Sequence, residues 1–105
     1  MILEVATLNV IPDQEAAFEA AFRRAAPILT RTHGYNSHEL RRSIEHTSRY
    51  ILLVEWQTLE DHTIGFRNSP AYQEWKALLH HFYDPFPTVE HYETPLLSAD
   101  DIGRR

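Results

Sequence analysis

Cysteine is absent from the 105 residues. Disulfides, thiolate metal sites, iron–sulfur clusters and cysteine nucleophiles are excluded together. Glycine is nearly absent too: Gly34, Gly65 and Gly103 are the only three. No glycine-rich phosphate loop can be built from them, so nucleotide-binding enzymes of the usual kinds fall away. No apolar run approaches the ~20 residues of a membrane helix. Met1-Ile2-Leu3-Glu4 has no basic region ahead of an apolar stretch, so no signal peptide is expected. Positive charge is also scarce, with 10 basic against 15 acidic side chains and a net charge of −5. A nucleic-acid partner, which must be bound by neutralising phosphates, is therefore not expected. These absences predict a cytoplasmic protein with neither a membrane nor a nucleic acid as partner.

Hydrophobic residues make up 43% and charged residues 24%, ordinary for a globular domain and too apolar for a disordered chain. The length suffices for one core. Seven His, five Tyr, five Phe and two Trp are the unusual holdings. Histidine titrates near neutrality and aromatic rings build dry walls, so the chemistry is sought among them.

Residues 2–10 read as a strand, with Ile2, Ala6, Leu8 and Val10 on one face and Leu3 and Val5 on the other. Pro12-Asp13 marks a turn, with Asp13 as the expected helix N-cap. A helix follows from Gln14 to about Thr32, its stripe formed by Phe18, Ala21, Phe22, Ala25 and Leu29. Pro27 is expected to weaken its last turns, and Gly34 to close it. Residues 35–43 and 49–57 read as two strands of a hairpin. Thr58-Leu59-Glu60-Asp61 is a capping-box pattern opening a short helix to about Arg67. Ser69-Pro70 starts another, running to about Tyr83. A last strand covers residues 88–94. The domain is assigned to 1–95 and a C-terminal tail to 96–105.

This order is strand, helix, two strands, broken helix, strand: the βαββαβ arrangement of an α+β ferredoxin-like fold with a four-stranded antiparallel sheet. The first and third strands are apolar on both faces, yet two helices cover only one. The other face needs an apolar partner, and a second copy of the same sheet is the simplest. The pattern predicts a homodimer packed sheet to sheet.

The sequence resembles the antibiotic biosynthesis monooxygenase family of dimeric α+β barrels. The likeness is carried by Leu3-Glu4-Val5 with Ile11-Pro12-Asp13, the helix Glu15 to Phe22, and Gly34-Tyr35 with Glu39-Leu40. It continues in Tyr50 to Trp56, Leu59-Glu60-Asp61-His62, Ser69 to Trp75 and Val89-Glu90-His91-Tyr92. The resemblance implies oxidation of small aromatic, phenol-like substrates by O₂ without metal or flavin. The haem-degrading branch has an Asn on the first strand and a Trp and a His on the helical segment. Here those positions are Ala6, Phe66 and Lys76, so haem degradation is disfavoured. The Asn, Trp and Arg of the quinone-forming branch do not map residue by residue onto this chain.

Oxygenation without a cofactor requires a base that turns the substrate into an electron-rich anion, inside a dry pocket. His62 and His38 are the candidate catalytic bases. Trp56, Phe66, Tyr72, Trp75, His81 and Phe82 are the candidate substrate-binding residues. His80 is expected to be solvated, with His81 turned toward the pocket, and Arg67 reads as a solvated side chain. No H-x-H, H-x₃-H or H-E-x-x-H spacing occurs, so neither a metal nor another cofactor is expected. His38, His62 and His91 would be the ligands if a metal were found. His33 and His46 fall in turns. The expected function is a cofactor-independent monooxygenase acting on a small aromatic molecule. The alternative is a non-catalytic small-molecule-binding or stress-response module on the same fold.

Overall fold

The computed structural model describes residues 1–100. Its elements are β1 (Ile2–Asn9), α1 (Glu15–Thr30), β2 (Tyr35–Arg42), β3 (Arg49–Trp56), α2 (Pro70–Leu79) and β4 (Thr88–Tyr92). A π-helical turn, Asp61–Phe66, precedes α2, and a 3₁₀ turn, His80–Phe82, follows it. The strands form one antiparallel sheet in the order β2-β3-β1-β4. This is the ferredoxin-like βαββαβ topology that the sequence predicts.

Alternation along the two central strands sets the core. Ala6 and Leu8 of β1 and Tyr50, Leu52, Val54 and Trp56 of β3 are buried on one face. Phe18, Ala21, Phe22, Ala25, Ile28 and Leu29 of α1 pack into the same cluster, joined by Trp75 and Leu79 of α2. The alternate residues Leu3, Val5, Ile51 and Leu53 lie on the opposite face and are only partly buried. Both helices therefore serve one side of the sheet, and an apolar stripe remains on the other.

Local signals hold at three joints. Thr58 N donates to Asp61 Oδ2 at 3.2 Å and Asp61 N donates to Thr58 Oγ1 at 3.1 Å, a reciprocal capping box. Ser69 caps α2 by accepting from Tyr72 N at 3.2 Å, with Pro70 at the first helical position. Gly34 follows α1 with φ +83°. A Cβ there would lie 2.2 Å from Asp61 Cγ. The missing side chain thus lets the capping box sit against the start of β2.

Three details differ from the sequence reading. Asp13 does not cap α1: it adopts a left-handed φ of 74°, and Gln14 occupies the cap position without a side-chain bond. The helix ends at Thr30 rather than about Thr32, where Arg31 N reaches back to Pro27 O and Thr32 N to Leu29 O. The second long helix ends at Leu79 and tightens into the 3₁₀ turn instead of running to Tyr83. Beyond β4 the chain has no helix or strand as far as residue 100, and Leu96 and Leu97 are exposed. The rest of the expected tail, 101–105, lies outside the described residues. Among the described residues no helix is long and apolar enough to cross a membrane.

The two internal glycines make opposite predictions. Gly34→Ala forces a left-handed residue and a clash with Asp61, so stability should fall by about 1–2 kcal/mol or more. At Gly65 the nearest atom to an added Cβ is Glu60 O at 3.7 Å. Gly65→Ala should leave stability unchanged or raise it by up to about 1 kcal/mol. Urea unfolding of both variants beside the parent checks the pair.

Candidate active site

The site begins with a charged residue on an apolar face. Glu4 occupies an inward position of β1, between Ile2 and Ala6 in the two-residue alternation. Its residue is only 7% exposed. Antiparallel pairing sets His91 of β4 directly opposite Glu4, and pairs the start of β1 with Trp56 of β3 through Ile2. Trp56 Nε1 donates to Glu4 Oε1 at 2.9 Å.

The π-helical turn then lowers His62 onto this group. Arg67 N donates to His62 O at 3.2 Å, closing the wide turn. His62 and Phe66 both point inward and are buried. The His62 ring stacks on Trp56 with centroids 5.2 Å apart and planes at 17°. Its Nε2 lies 3.4 Å from Glu4 Oε1, and its Nδ1 is 2.8 Å from His91 Nε2. Glu4, His62 and His91 thus form a continuous row of polar atoms from the core to the edge strand.

Burial dominates the electrostatics of the row. Desolvation pushes the Glu4 carboxyl above its ordinary range, opposed by the Trp56 hydrogen bond and by the Arg67 charge. The His62 imidazole is pushed down to about 3, first by burial, then by Arg67 and His91. His91 is lowered by burial and by Arg67. At neutral pH His62 is therefore neutral, and its 3.4 Å contact with Glu4 is not an ion pair.

Beside the row lies a cavity of about 310 Å³, at the small end of the range for small-molecule pockets, ~300–1,000 Å³. Glu4 and His62 stand on one part of its wall, with Ala6, Leu8, Leu29, Leu52 and Val89 as an apolar floor. Phe66, Tyr72, Trp75 and Tyr83 supply aromatic rings, and Arg67, His80, Phe86 and Pro87 complete the lining. The His80 ring sits among Tyr72, Tyr83 and Phe86 at centroid distances of 5.3–5.7 Å. Its Nδ1 is buried without a hydrogen-bond partner, the one such side-chain atom among the described residues. Burial and the Lys76 charge lower its pKa.

The candidates from the sequence divide accordingly. His62, Phe66, Tyr72 and Trp75 line the cavity together. Trp56 stands behind them, fully buried, and acts on Glu4 and His62 instead of facing the cavity. His38 is not in the lining: it is half-buried on β2, packs on Phe22 and bonds Tyr35 Oη at 2.7 Å. The expected roles of His80 and His81 are exchanged. The 3₁₀ turn advances about 120° per residue rather than the 100° of an α-helix, and His80 enters the cavity while His81 is exposed. Phe82 belongs to the core and not to the lining. Arg67, read as solvated, is exposed but also borders the cavity. Glu4 was legible as an acidic residue in an otherwise apolar two-residue alternation, and the apolar neighbours hid it. Among the described residues, no group of three or more His, Asp or Glu side chains is arranged to hold a metal ion.

The fold and an aromatic cavity with acid–base groups define a small α+β protein with a candidate ligand site. The model of the antibiotic biosynthesis monooxygenase family matches residues 1–78, and the chain belongs to that family. It is 58% identical over 93 residues to YczJ of Bacillus subtilis (strain 168), itself an uncharacterized protein, covering 89% of this chain and 98% of that one. The crystal structure of a Bordetella bronchiseptica member of the family superposes with a TM-score of 0.86 at 39% identity, covering 90% of this chain and 97% of that one. SnoaB, a cofactor-independent oxygenase from Streptomyces nogalater, shares the fold with a TM-score of 0.73 at 21% identity, covering 92% and 94% of the two chains.

The lowered pKa of His62 makes a signed prediction about acid stability. Below pH 6.5 the unfolded chain binds a proton at this residue that the native protein rejects until about pH 3. Stability contributed by neutral His62 is present above pH 6.5 and is lost as pH falls through that window. Glu4 acts oppositely, but only above its unfolded value of 4.5. Between pH 4.5 and 3.5, His62→Gln should therefore lose stability less steeply than the parent by about 1.4 kcal/mol per pH unit. Urea unfolding across that interval measures the difference in slope.

Proposed function

We propose that this protein is a cofactor-independent monooxygenase whose cavity takes a small aromatic substrate with an acidic C–H or O–H group. The observation that carries the reading is the buried Glu4–His62 pair opening onto a cavity walled by aromatic rings. Family membership supports it, and so does the fold shared with a cofactor-independent oxygenase. An imidazole pushed down to about 3 is a weak proton acceptor. The carboxylate that burial raises is the stronger base of the two, so Glu4 takes the substrate proton and His62 supports it. The contacts of Glu4 with Trp56 and His62 both fall on Oε1. His38 has no part in this step.

The anion formed is the reductant. It transfers an electron to O₂, the radical and superoxide combine to a peroxide, and loss of water leaves a carbonyl. For a methylene substrate the balance is R₂CH₂ + O₂ → R₂C=O + H₂O: four electrons leave carbon and four reduce the two oxygen atoms. No external reductant is required. The apolar floor keeps bulk water from the anion, and His80 Nδ1 holds a substrate oxygen away from the reacting carbon.

Purified protein incubated in air with a panel of phenols and anthrones, with and without EDTA, tests the reading. We expect a new carbonyl or quinone absorbance with one O₂ consumed per product, unaffected by EDTA. Glu4→Gln should lower kcat by about 10²-fold or more, and His80→Phe should act mainly on KM. A second reading, a non-catalytic small-molecule-binding module, is favoured by His80, because an unpaired nitrogen over an aromatic cavity needs no chemistry to bind. Saturable binding that His80→Phe weakens, with no O₂ consumption, would select it.

The active unit in this proposal is a homodimer packed through the open sheet face. Leu3, Val5, Ile51 and Leu53 form a stripe there that the two helices do not reach, and Tyr92 on the edge strand is 51% exposed. An obligate interface of this kind buries more than ~2,000 Å² in total. Sedimentation should give a dimer at micromolar concentration, and Leu53→Glu should shift it to a folded monomer. A parent chain that sediments as a 12.3 kDa monomer would rule the dimer out.

A further inference from the structure

The row of groups behind the cavity ends outside it. Glu4 and His91 are register partners on β1 and β4, and His62 bridges them from the π-helical turn. β4 is an edge strand, and His91 is partly exposed on it. Glu4 accepts a proton when the anion forms and has to supply one when water leaves, and the apolar floor of the cavity, Ala6, Leu8, Leu29, Leu52 and Val89, cannot store it in between. We propose that His62 and His91 form a proton wire connecting Glu4 to solvent at the β4 edge. The inference rests on the reading of Glu4 as the proton acceptor.

The wire balances by tautomer exchange. A proton received on Glu4 passes to His62 Nε2, while the proton on His62 Nδ1 passes to His91 Nε2 and the one on His91 Nδ1 leaves to water. Each imidazole gains one proton and loses one, so no cation accumulates in the buried segment; the reverse passage returns a proton to Glu4 for the water that leaves the peroxide and resets both tautomers. The 2.8 Å contact between the rings is of hydrogen-bond length, and the 3.4 Å approach to Glu4 Oε1 closes the remaining gap by a small shift of the carboxyl. The charged group facing the row from the loop before α2 is Arg67. Its positive charge disfavours both imidazolium ions and so keeps the rings neutral between transfers. Trp56 fixes the acceptor end by its hydrogen bond to Glu4 and by its stack on His62.

The wire exists in the protein without substrate, so proton exchange tests it apart from oxygenation. In protein labelled with ¹⁵N at the histidine rings, the His62 ring N–H should exchange with solvent at a measurable rate. His91→Phe keeps the bulk of the ring and removes the relay, and exchange at His62 should slow at least about tenfold. Adding free imidazole should restore part of the rate. A His91 that merely plugs the site predicts the reverse, because losing a hydrogen-bond partner exposes the N–H and speeds exchange. Unchanged or faster exchange in His91→Phe overturns the wire. His91→Gln, which hydrogen-bonds but cannot exchange tautomers, should also slow exchange and serves if the Phe variant fails to fold. His38→Phe, outside the row, should leave the rate unaltered. Oxygenation with unchanged exchange in His91→Phe would sink the wire alone. Slowed exchange without oxygenation would sink the monooxygenase reading alone.

Discussion

A carboxyl group buried on the helix-facing side of β1 is the constraint around which the rest of the site is arranged. An isolated carboxylate in such a place is too costly to keep charged. Glu4 is held by the indole N–H of Trp56, and a nitrogen of His62 lies beside it. Each comes from a different element, so the position of one acid specifies the end of β3, the π-helical turn and, through His91, the edge strand β4. The π form of that turn follows from the same demand. A capping box fixes its start at Thr58 and Asp61, and Gly34 makes room for it. The wide turn then brings His62 over Trp56 with Phe66 beside it, where a surface helix of ordinary pitch would only have to bury one stripe.

Desolvation sets the proton affinities along the row. Burial raises the acid and lowers the bases, so proton affinities that differ by about two units in water, ~4.3 for Glu against ~6.5 for His, are brought together and their order can invert. That convergence lets a carboxyl act as the base while the imidazole beside it remains uncharged. It also carries a stability cost, because a protein optimised only for folding would place an apolar residue at position 4. The unpaired Nδ1 of His80 is a second such cost on the same cavity. The buried Glu4 carboxyl and the unpaired His80 nitrogen, on two residues that line one small cavity, mark the part of the molecule that is shaped for a ligand rather than for stability.

The fold was legible because it depends on periodicities that tertiary structure does not override. Alternation in β1 and β3, the stripe of α1, and the caps at Thr58 and Ser69 each appear where the pattern puts them. The site was legible only where its residues sit on those regular elements: His62 one turn before Phe66, and Tyr72 and Trp75 on α2. It failed where the chain leaves regular geometry. The 3₁₀ turn after Leu79 reverses His80 and His81, and no α-helical projection shows that. His38 shares a face with Leu40 as expected, but the strand order puts β2 at the far edge from β4, so the face alone did not locate it near His62. Glu4 is a different failure. Its alternation was visible, yet one acid among Ile2, Ala6, Leu8 and Val10 reads as an exception to a strand, when it is the residue the strand is there to position.

Period two in β1 also keeps the two uses of the sheet apart. Even-numbered positions from Glu4 to Leu8 face the helices and the cavity; odd-numbered positions, Leu3 and Val5, face the open side. A slip of one residue against β3 would turn Glu4 outward into the apolar stripe and bring Leu3 and Val5 inward, destroying the acid–base row and the open face at once. The register is therefore constrained from both sides. Trp56, the last residue of β3, is the element that reads it: only in the observed pairing does its indole N–H meet a carboxyl on β1 while its ring supports His62. Replacing Trp56 would remove a core side chain and, with it, the buried acid's principal donor. The core and the chemistry of this protein are thus joined at one residue, and stability and function should decline together there even though Trp56 does not border the cavity.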